Sequence, residues 1–301
     1  MPHRSKSITA ELPEPEELDI TALADALRCG DVNLIVVLGP TASGKTKYAV
    51  RLAHSLSSLL FPGVDACRTE IISADSRQVY RGMDIGTGKD ISEYGNVPYH
   101  LIDVADPGDG YNVFRFREDF FRAYRDIVGR GAVPVLCGGT GLYINSVLND
   151  YDFSEHIPLS QKRDCSPSGE GSESGAINPV PLVPGDEPSP NGTQIELRPF
   201  VIGTLVSREV RNARIDARLE VRLKEGMIDE IRGLLDSGVP AEVLLGYGLE
   251  YKFVTRFLLG ELSYDEMYLR LSTAIHQFAK RQMTWFRGME RSGVRIHWVE
   301  V

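Results

Sequence analysis

The stretch Gly39-Pro40-Thr41-Ala42-Ser43-Gly44-Lys45-Thr46 has the spacing G-x-x-x-x-G-K-T. It follows the apolar run 32–38 and precedes residues 47–53, whose apolar side chains recur at helical spacing. A strand, a glycine-rich loop and a helix in this order bind phosphate, because the loop amides and the positive end of the helix attract an anion. Lys45 adds a positive charge, and the Thr46 hydroxyl is suited to hold Mg²⁺. The sequence therefore predicts a phosphate site, but it leaves open which phosphate compound binds.

The bulk composition predicts a globular protein with one large domain, or a domain and a smaller lobe, in its 301 residues. The net charge is −9, but from Arg198 onward 16 Lys and Arg stand against 14 Asp and Glu. A basic, nucleic-acid-binding surface in the C-terminal part is therefore compatible with the acidic total. Four scattered cysteines without a C-x-x-C pair predict reduced thiols in a cytoplasmic protein. With no apolar run of 18 residues and no signal-peptide pattern, we expect neither membrane spanning nor secretion.

Further apolar runs alternate with helical patterns along the chain. The runs predict strands at 70–74, 99–104, 133–137, 199–205 and 297–299, and the apolar periodicity predicts helices at 113–128, 208–226, 228–237, 251–259 and 263–291. This alternation predicts an α/β fold with a doubly wound parallel sheet, followed by a helix-rich C-terminal part.

Polar residues follow two of the predicted strands. Asp75 comes directly after the second strand, and Thr140 lies in a glycine-rich turn after the fourth. Open α/β sheets bind ligands in the crevice at the carboxyl ends of their strands, so we expect both residues near the phosphate loop. Asp75 is equally suited to cap a following helix. Residues 82–90 predict a flexible polar loop, which either faces a substrate or forms an ordinary surface turn.

The last predicted helix presents a basic stripe beside an aromatic face. The stripe comprises Lys280, Thr284, Arg287 and Arg291, and the neighbouring face comprises Phe278, Gln282, Phe286 and Met289. Basic residues among aromatic ones suit a nucleic-acid backbone and its bases. A core-packed aromatic face beside a solvated basic one explains the same pattern. In the arginine-rich helix at 208–226, we expect one or two arginines to reach the phosphate site.

Four regions follow from these patterns. Residues 1–31 form a tail and lead-in helix, 32–153 form the phosphate-loop core, and 198–301 add the last core strand and the helical part. Between them, 154–197 is rich in Pro, Ser and Gly, without periodicity, and predicts a low-complexity linker.

Together these segments resemble the tRNA dimethylallyltransferase (isopentenyltransferase) family. The resemblance covers roughly 32–153 and 198–298, and six blocks carry it: residues 39–46, 74–80, 86–89, 99–103, 138–143 and 278–287. It implies a P-loop NTPase-like fold and transfer of a dimethylallyl group from its diphosphate to N6 of an adenosine beside the anticodon. The implied partners are dimethylallyl diphosphate, Mg²⁺ and the tRNA anticodon stem-loop, and no obligate protein partner is indicated.

The resemblance also implies roles for individual residues. Asp75 matches the general base, with Thr140 near the reacting adenosine and Lys45 on the departing diphosphate. Arg214 matches an arginine that joins residues 39–46 on the diphosphate, and Thr46 matches the magnesium ligand. The residues implied to contact tRNA are Asp75, Ser76, Arg77, Gln78, Thr140, Lys280, Arg281, Gln282 and Arg287.

One departure from the family pattern concerns the interval between Tyr143 and Arg198. Here the family normally has a small helical insertion that holds the anticodon stem-loop, whereas this chain has a short interval without those residues. Two alternatives to a tRNA-modifying enzyme therefore stay open. One is a transferase that acts on a free adenine nucleotide, and the other is a catalytically impaired RNA-binding protein. An ordinary P-loop kinase fits the downstream blocks less well.

Overall fold

Parallel strand pairing organises the structure, a computed structural model that describes residues 13–148 and 195–301. Within these ranges, six strands form one sheet in the order β3-β2-β4-β1-β5-β6, and every pair is parallel. The strands are β1 Leu34–Leu38, β2 Thr69–Ser73, β3 Tyr99–His100, β4 Val133–Gly138, β5 Pro199–Leu205 and β6 Ile296–Glu300. The predicted α/β fold with a parallel sheet is confirmed.

Helices cover this sheet and form the C-terminal part. They are α1 Ile20–Cys29, α2 Lys45–Leu60, α3 Val113–Gly129, α4 Gly141–Leu148, α5 Arg208–Lys224, α6 Met227–Asp236, α7 Ala241–Gly246, α8 Leu249–Leu258 and α9 Tyr264–Arg291. A short 3₁₀ turn occupies Ile91–Tyr94. None of the helices in the described ranges is both long and apolar enough to cross a membrane.

The core lies on both faces of the sheet, because β1 is fully buried along its length. On one face, Ile35 and Val37 pack with Leu52 and Leu56 of α2 and with residues of α1. The alternate strand residues point the other way, where α3 contacts β2 and β4. This two-sided burial explains why β1 is a continuous apolar run instead of an alternating one.

The prediction of a strand at 99–104 is wrong beyond His100. Leu101 and Asp103 have positive φ angles of 61° and 57°, so the backbone leaves the extended conformation that a ladder requires. The carboxylate of Asp103 pairs with Lys89, whose side chain is fully buried. This tertiary ion pair overrides the apolar pattern of the segment.

Most of the predicted low-complexity linker at 154–197 lies outside the described residues, as do residues 1–12 of the predicted tail. The contacts divide the chain into a unit of Met1–Asn149 with Leu197–Val301 and a unit of Asp150–Glu196. The description below concerns the first unit.

Candidate active site

The phosphate loop connects β1 to α2 in a conformation that exposes backbone amides. Gly44 at the start of α2 has a φ of 82°, and Ala42 has a φ of 60°. No side chain caps the first turn of α2, whereas Asp19 and Asn112 cap α1 and α3. The first N–H groups of α2 therefore remain available to a bound anion, at the positive end of the helix dipole.

Buried contacts hold the loop in this shape. The Ser43 hydroxyl lies 2.7 Å from the Thr204 hydroxyl of β5, and Thr204 also donates to the Leu38 carbonyl. A Cβ atom on Gly39 would lie 2.0 Å from the Thr204 hydroxyl, so only glycine fits there. Gly39 and Ser43 therefore support the loop, and the Ser43 hydroxyl is bonded within the protein.

Two adjoining cavities meet at Lys45, Thr46 and Arg218. The outer cavity, of about 550 Å³, is lined by Ala42, Gly44, Lys45, Thr46, Lys47, Arg51, Asp90, Glu93, Arg214, Arg218 and Val301. The inner cavity, of about 50 Å³, is lined by Thr41, Lys45, Thr46, Ser73, Asp75, Arg77, Gln78, Thr87, Gly88, Tyr94, Cys137, Gly138, Arg218, Arg222, Phe278 and Gln282. The structure thus brings together the phosphate loop, Arg214 and Asp75, as predicted from the sequence.

Lys45, like Arg218, is a cation that lines both cavities. Burial lowers the pKa of its ammonium, and the nearby carboxylate of Asp75 opposes this change. Burial also raises the pKa of the neighbouring Cys137 thiol to about 12, which keeps that thiol neutral at ordinary pH. A buried cation without a full counter-charge favours an anionic ligand, and a diphosphate beside the loop would restore the balance.

Asp75 lies at the carboxyl end of β2 and faces the inner cavity. Its Oδ1 accepts a hydrogen bond from the Arg77 N–H at 2.9 Å. Residues 76–79 form a turn and no helix, so Asp75 caps a turn and the predicted alternative of a helix cap is wrong. Oδ2 makes no hydrogen bond to another described residue, which leaves it available to a ligand. The carboxylate is therefore oriented by its own turn and placed opposite Lys45.

Thr140 joins this turn to the end of β4. Its hydroxyl accepts from the Ser76 N–H at 3.0 Å, and its own N–H donates to the Ala74 carbonyl at 3.1 Å. The sequence predicted Thr140 near the phosphate loop, and in the structure it adjoins the Asp75 turn but lines neither cavity. Within the structure Thr140 orients the Asp75 turn, and its hydroxyl is already engaged by Ser76.

Gln282 of α9 bridges the two glycine-rich turns. Its Oε1 accepts from the Thr41 N–H at 2.8 Å, and its Nε2 donates to the Gly139 carbonyl at 2.9 Å. The side chain is buried and lines the inner cavity. The resemblance assigned Gln282 a tRNA contact, and the structure gives it a further task, since it fixes the phosphate loop relative to the turn of Thr140.

Arg77 and Gln78 point into the protein at the inner cavity. Arg77 forms an ion pair with Glu250 of α8, which also accepts from Arg222 at 3.3 Å. Burial, with Arg218 nearby, lowers the pKa of Arg222 to about 10, so its guanidinium is charged at neutral pH. Gln78 donates to the Gly88 carbonyl at 3.2 Å. Glu250 is buried at 2% exposure and supports this wall of the cavity.

The connection 82–90, predicted as a flexible polar loop, is hydrogen-bonded to α6 in the structure. Glu230 of α6 accepts hydrogen bonds from the N–H groups of Asp84, Ile85 and Gly86 at 2.9, 2.6 and 3.0 Å. The buried Lys89 ammonium bonds to Asp84 at 2.9 Å and pairs with Asp103. Because of these bonds, Thr87 and Gly88 are presented to the inner cavity in a defined position.

The remaining predicted tRNA contacts lie along α9. Lys280 and Arg281 are exposed and Arg287 is half-buried, and none of the three lines either cavity. On the neighbouring face Phe286 and Met289 are buried in the core. The alternative interpretation, a core-packed face beside a solvated basic one, is therefore confirmed for Phe286 and Met289, whereas RNA binding by the basic face stays a prediction.

Several cavity residues carry no sequence signal of their own. Arg218, Arg222 and Tyr94 follow no motif spacing. Glu250, which pairs with Arg222 but lines neither cavity, has no signal either, since a carboxylate in a helix is normally a surface residue. The arginine density of α5 is the one usable hint, since Arg214 and Arg218 do reach the phosphate site.

Residues 78–174 and 183–289 match the family described as IPP transferase. The chain belongs to the IPP transferase family. It is 46% identical to tRNA dimethylallyltransferase 1 of Azobacteroides pseudotrichonymphae, over 90% of this chain and 94% of that protein. It is 47% identical to tRNA dimethylallyltransferase 1 of Geotalea uraniireducens, over 89% of this chain and 92% of that protein. The resemblance inferred from the sequence blocks is confirmed.

Solved structures of the IPP transferase family have the same fold. The full-length tRNA isopentenylpyrophosphate transferase of Bacillus halodurans superposes with a TM-score of 0.67 at 28% identity, over 89% of each chain. The corresponding enzyme of Staphylococcus epidermidis gives a TM-score of 0.66 at 27% identity, over 89% of this chain and 92% of that one. A eukaryotic dimethylallyltransferase acting on tRNA, at 20% identity, shares the fold with a TM-score of 0.62, over 84% of this chain and 69% of that one.

The oxygen groups at the phosphate loop fit a magnesium ion that would be held mainly by the phosphate oxygens of the substrate. In the described parts of the chain no three His, Cys, Asp or Glu side chains cluster for a metal. The Thr46 hydroxyl lines both cavities, and Asp90 and Glu93 line the outer one. Mg²⁺ commonly keeps several waters and binds through few protein groups together with substrate phosphates. The Thr46 hydroxyl would be one such protein group in this IPP transferase.

Proposed function

We propose that this IPP transferase moves the dimethylallyl group of dimethylallyl diphosphate to N6 of an adenosine beside the tRNA anticodon. The observation that carries the proposal is the inner cavity, in which Lys45 of the phosphate loop and Asp75 line the same space. The names of these two relatives supply the substrates, because both are tRNA dimethylallyltransferases that align over most of their length. We place the reaction in the cytoplasm, because the scattered cysteines predict reduced thiols and the proposed acceptor is tRNA.

The donor diphosphate would occupy the phosphate loop and the outer cavity. Amides at the start of α2, the Lys45 ammonium and the Arg214 and Arg218 guanidinium groups surround this space. Charge on the diphosphate grows as its bond to the allylic carbon breaks, so fixed positive groups here stabilise the transition state more than the ground state. Mg²⁺, held by Thr46 and the phosphate oxygens, would supply additional positive charge to the leaving group.

The acceptor amine would approach from the side of Asp75. The N6 nitrogen forms a bond to the allylic carbon, the bond from that carbon to the diphosphate oxygen breaks, and diphosphate leaves. The nitrogen loses one proton, and the free oxygen of Asp75 is placed to receive it. An aryl amine is a weak nucleophile, so the orientation of Asp75 by Arg77 and of its turn by Thr140 supplies part of the rate.

The target base must leave its stack to reach a reaction site inside the protein. The exposed basic face of α9, with Lys280 and Arg281, provides positive charge for the surrounding RNA backbone. No corresponding feature is needed for a free nucleotide, so this face favours tRNA over adenylate as the acceptor.

One assay tests the proposal. The purified protein receives dimethylallyl diphosphate and Mg²⁺ with either unmodified tRNA or AMP, and the nucleosides are analysed by mass spectrometry. We expect a five-carbon addition at the adenosine beside the anticodon of tRNA. Product on AMP alone would assign a free-nucleotide enzyme, RNA binding without product would assign an impaired relative, and ATP hydrolysis without prenylation would assign a kinase-like protein.

A further inference from the structure

One large aromatic side chain at the second glycine-rich turn, residues 138–141, is exposed. Trp285 exposes 42% of its surface, whereas Trp298, the other tryptophan, exposes 3% and donates its indole N–H to Glu290. A Cβ atom on Gly141 would lie 2.1 Å from the Trp285 ring, so the indole packs directly on the backbone where α4 begins. Gly141 follows Thr140, which orients the Asp75 turn. Packing on Gly141 covers part of the ring, and the rest of the ring faces solvent.

Trp285 continues a row of side chains that begins inside the protein. Phe278, Gln282 and Trp285 are spaced by four and three residues, so they lie on one face of α9. Phe278 and Gln282 line the inner cavity, and Trp285 lies about one helical turn, or roughly 5 Å, farther along the axis. The row therefore leads from the candidate reaction site to the surface.

The surroundings of the exposed ring are positively charged. Arg281 lies one turn before Trp285 on α9, and Lys280 precedes it; both are exposed. An aromatic face combined with Lys and Arg suits single-stranded RNA, because bases stack on the ring and phosphates are attracted by the charges.

We propose that Trp285 is a stacking platform for a nucleobase of the acceptor RNA next to the adenosine that enters the inner cavity. This inference rests on the proposed function. When the target base leaves its stack, its neighbour loses a stacking partner, and the indole face offers a replacement. The ring would thereby hold the anticodon loop in the open form in which N6 reaches Asp75.

Two substitutions separate stacking from packing. Trp285→Leu still covers Gly141 but has no aromatic face, whereas Trp285→Phe keeps a ring. We expect Trp285→Leu to raise KM for tRNA by about tenfold to a hundredfold, with kcat and donor affinity close to those of the wild type. Trp285→Phe should recover most of this loss. Leu269→Ala is the matched control, since Leu269 lies on the same helix and is 68% exposed.

Intrinsic fluorescence gives a second readout that does not depend on catalysis. Addition of an anticodon stem-loop RNA should quench the emission of the wild type, and should leave that of Trp285→Phe, which retains only Trp298, nearly unchanged. If the RNA quenches the emission of the wild type but no prenyl group is transferred, the proposed function is refuted and the stacking contact is supported. Three results would overturn the assignment of Trp285. They are a KM for tRNA in Trp285→Leu equal to that of the wild type, an equal rise of KM in the Leu and Phe variants, and an absence of quenching.

Discussion

The donor side and the acceptor side of the inner cavity are built in different ways. The donor side centres on eight consecutive residues, 39–46, at the junction of β1 and α2, where backbone amides and Lys45 face Arg214 and Arg218 of α5. The acceptor side combines residues from β2, β4, α8 and α9, joined by long-range bonds of Gln282 and Glu250. Phosphate binding therefore depends on local backbone geometry, whereas placement of the acceptor depends on a few buried side chains.

The largest effect on catalysis is expected from Asp75→Asn. Asparagine still accepts the Arg77 N–H and keeps the turn, but it cannot take the amine proton. The rate of transfer should fall at least about a hundredfold, the range of a lost general base, while donor affinity stays near that of the wild type. Single-turnover rates and donor titrations measure the two quantities. Near-normal turnover would remove Asp75 from its assigned role.

Glu250→Gln should break the support of the acceptor side. The substitution leaves Arg77 and Arg222 buried without their carboxylate. Removal of one partner of a buried ion pair costs about 3–5 kcal/mol, so the free energy of unfolding should fall by roughly this amount. Urea denaturation measures the change.

A surface ion pair of the same charge type provides the control for this variant. Glu261 pairs with Arg256 at 2.8 Å, and both side chains are at least one-third exposed. Glu261→Gln should lower the free energy of unfolding by less than about 1 kcal/mol. Equal losses in the two variants would show that Glu250 does not act through burial.

Gln282→Leu tests the connection between the two sides. It leaves the Thr41 N–H and the Gly139 carbonyl without their partner, at a cost of about 1–3 kcal/mol for each buried group. We expect both donor affinity and thermal stability to fall. Gln277→Leu, at an exposed position of the same helix, should change neither. If the donor affinity of Gln282→Leu is unchanged, the loop holds its shape without α9.

The smallest expected effect is a pH dependence on the donor side. Burial lowers the pKa of Lys45, so its charge is lost at a lower pH than that of a solvated lysine. Donor affinity should therefore begin to decrease at a pH below the range in which an ordinary lysine loses its charge, and the profile of Lys45→Arg should be flatter because arginine stays charged. In the same range the free energy of unfolding rises with pH, because the unfolded chain binds more protons at this site. Identical profiles for both proteins would exclude Lys45 as the titrating group.

The donor side could be predicted from the sequence because its information is local. The apolar run of β1, the loop spacing and the helical pattern of α2 occupy one continuous stretch, and the structure shows the expected strand, loop and helix. Asp75 and Thr140 could also be placed, since the carboxyl ends of parallel strands meet at one edge of a sheet. The roles assigned to these residues remain predictions.

The support of the acceptor side could not be predicted, because tertiary contacts decide it. Glu230 and Glu250 are single carboxylates in amphipathic helices, where most glutamates are solvated, yet each binds several groups near the cavity. In the same way, Asp103 pairs with the buried Lys89 where the predicted strand gives way to a turn. The helix α7, Ala241–Gly246, was missed because six residues are too few for a periodic pattern.

The most direct test of a shared cavity is whether donor and acceptor bind together. A non-reactive analogue of dimethylallyl diphosphate and a labelled anticodon stem-loop RNA are titrated separately and in combination, with RNA anisotropy and donor calorimetry as readouts. If Lys45 and Asp75 serve opposite ends of one reaction, the saturated protein should hold both ligands in a ternary complex with little loss of either affinity. Displacement of one ligand by the other would contradict this arrangement.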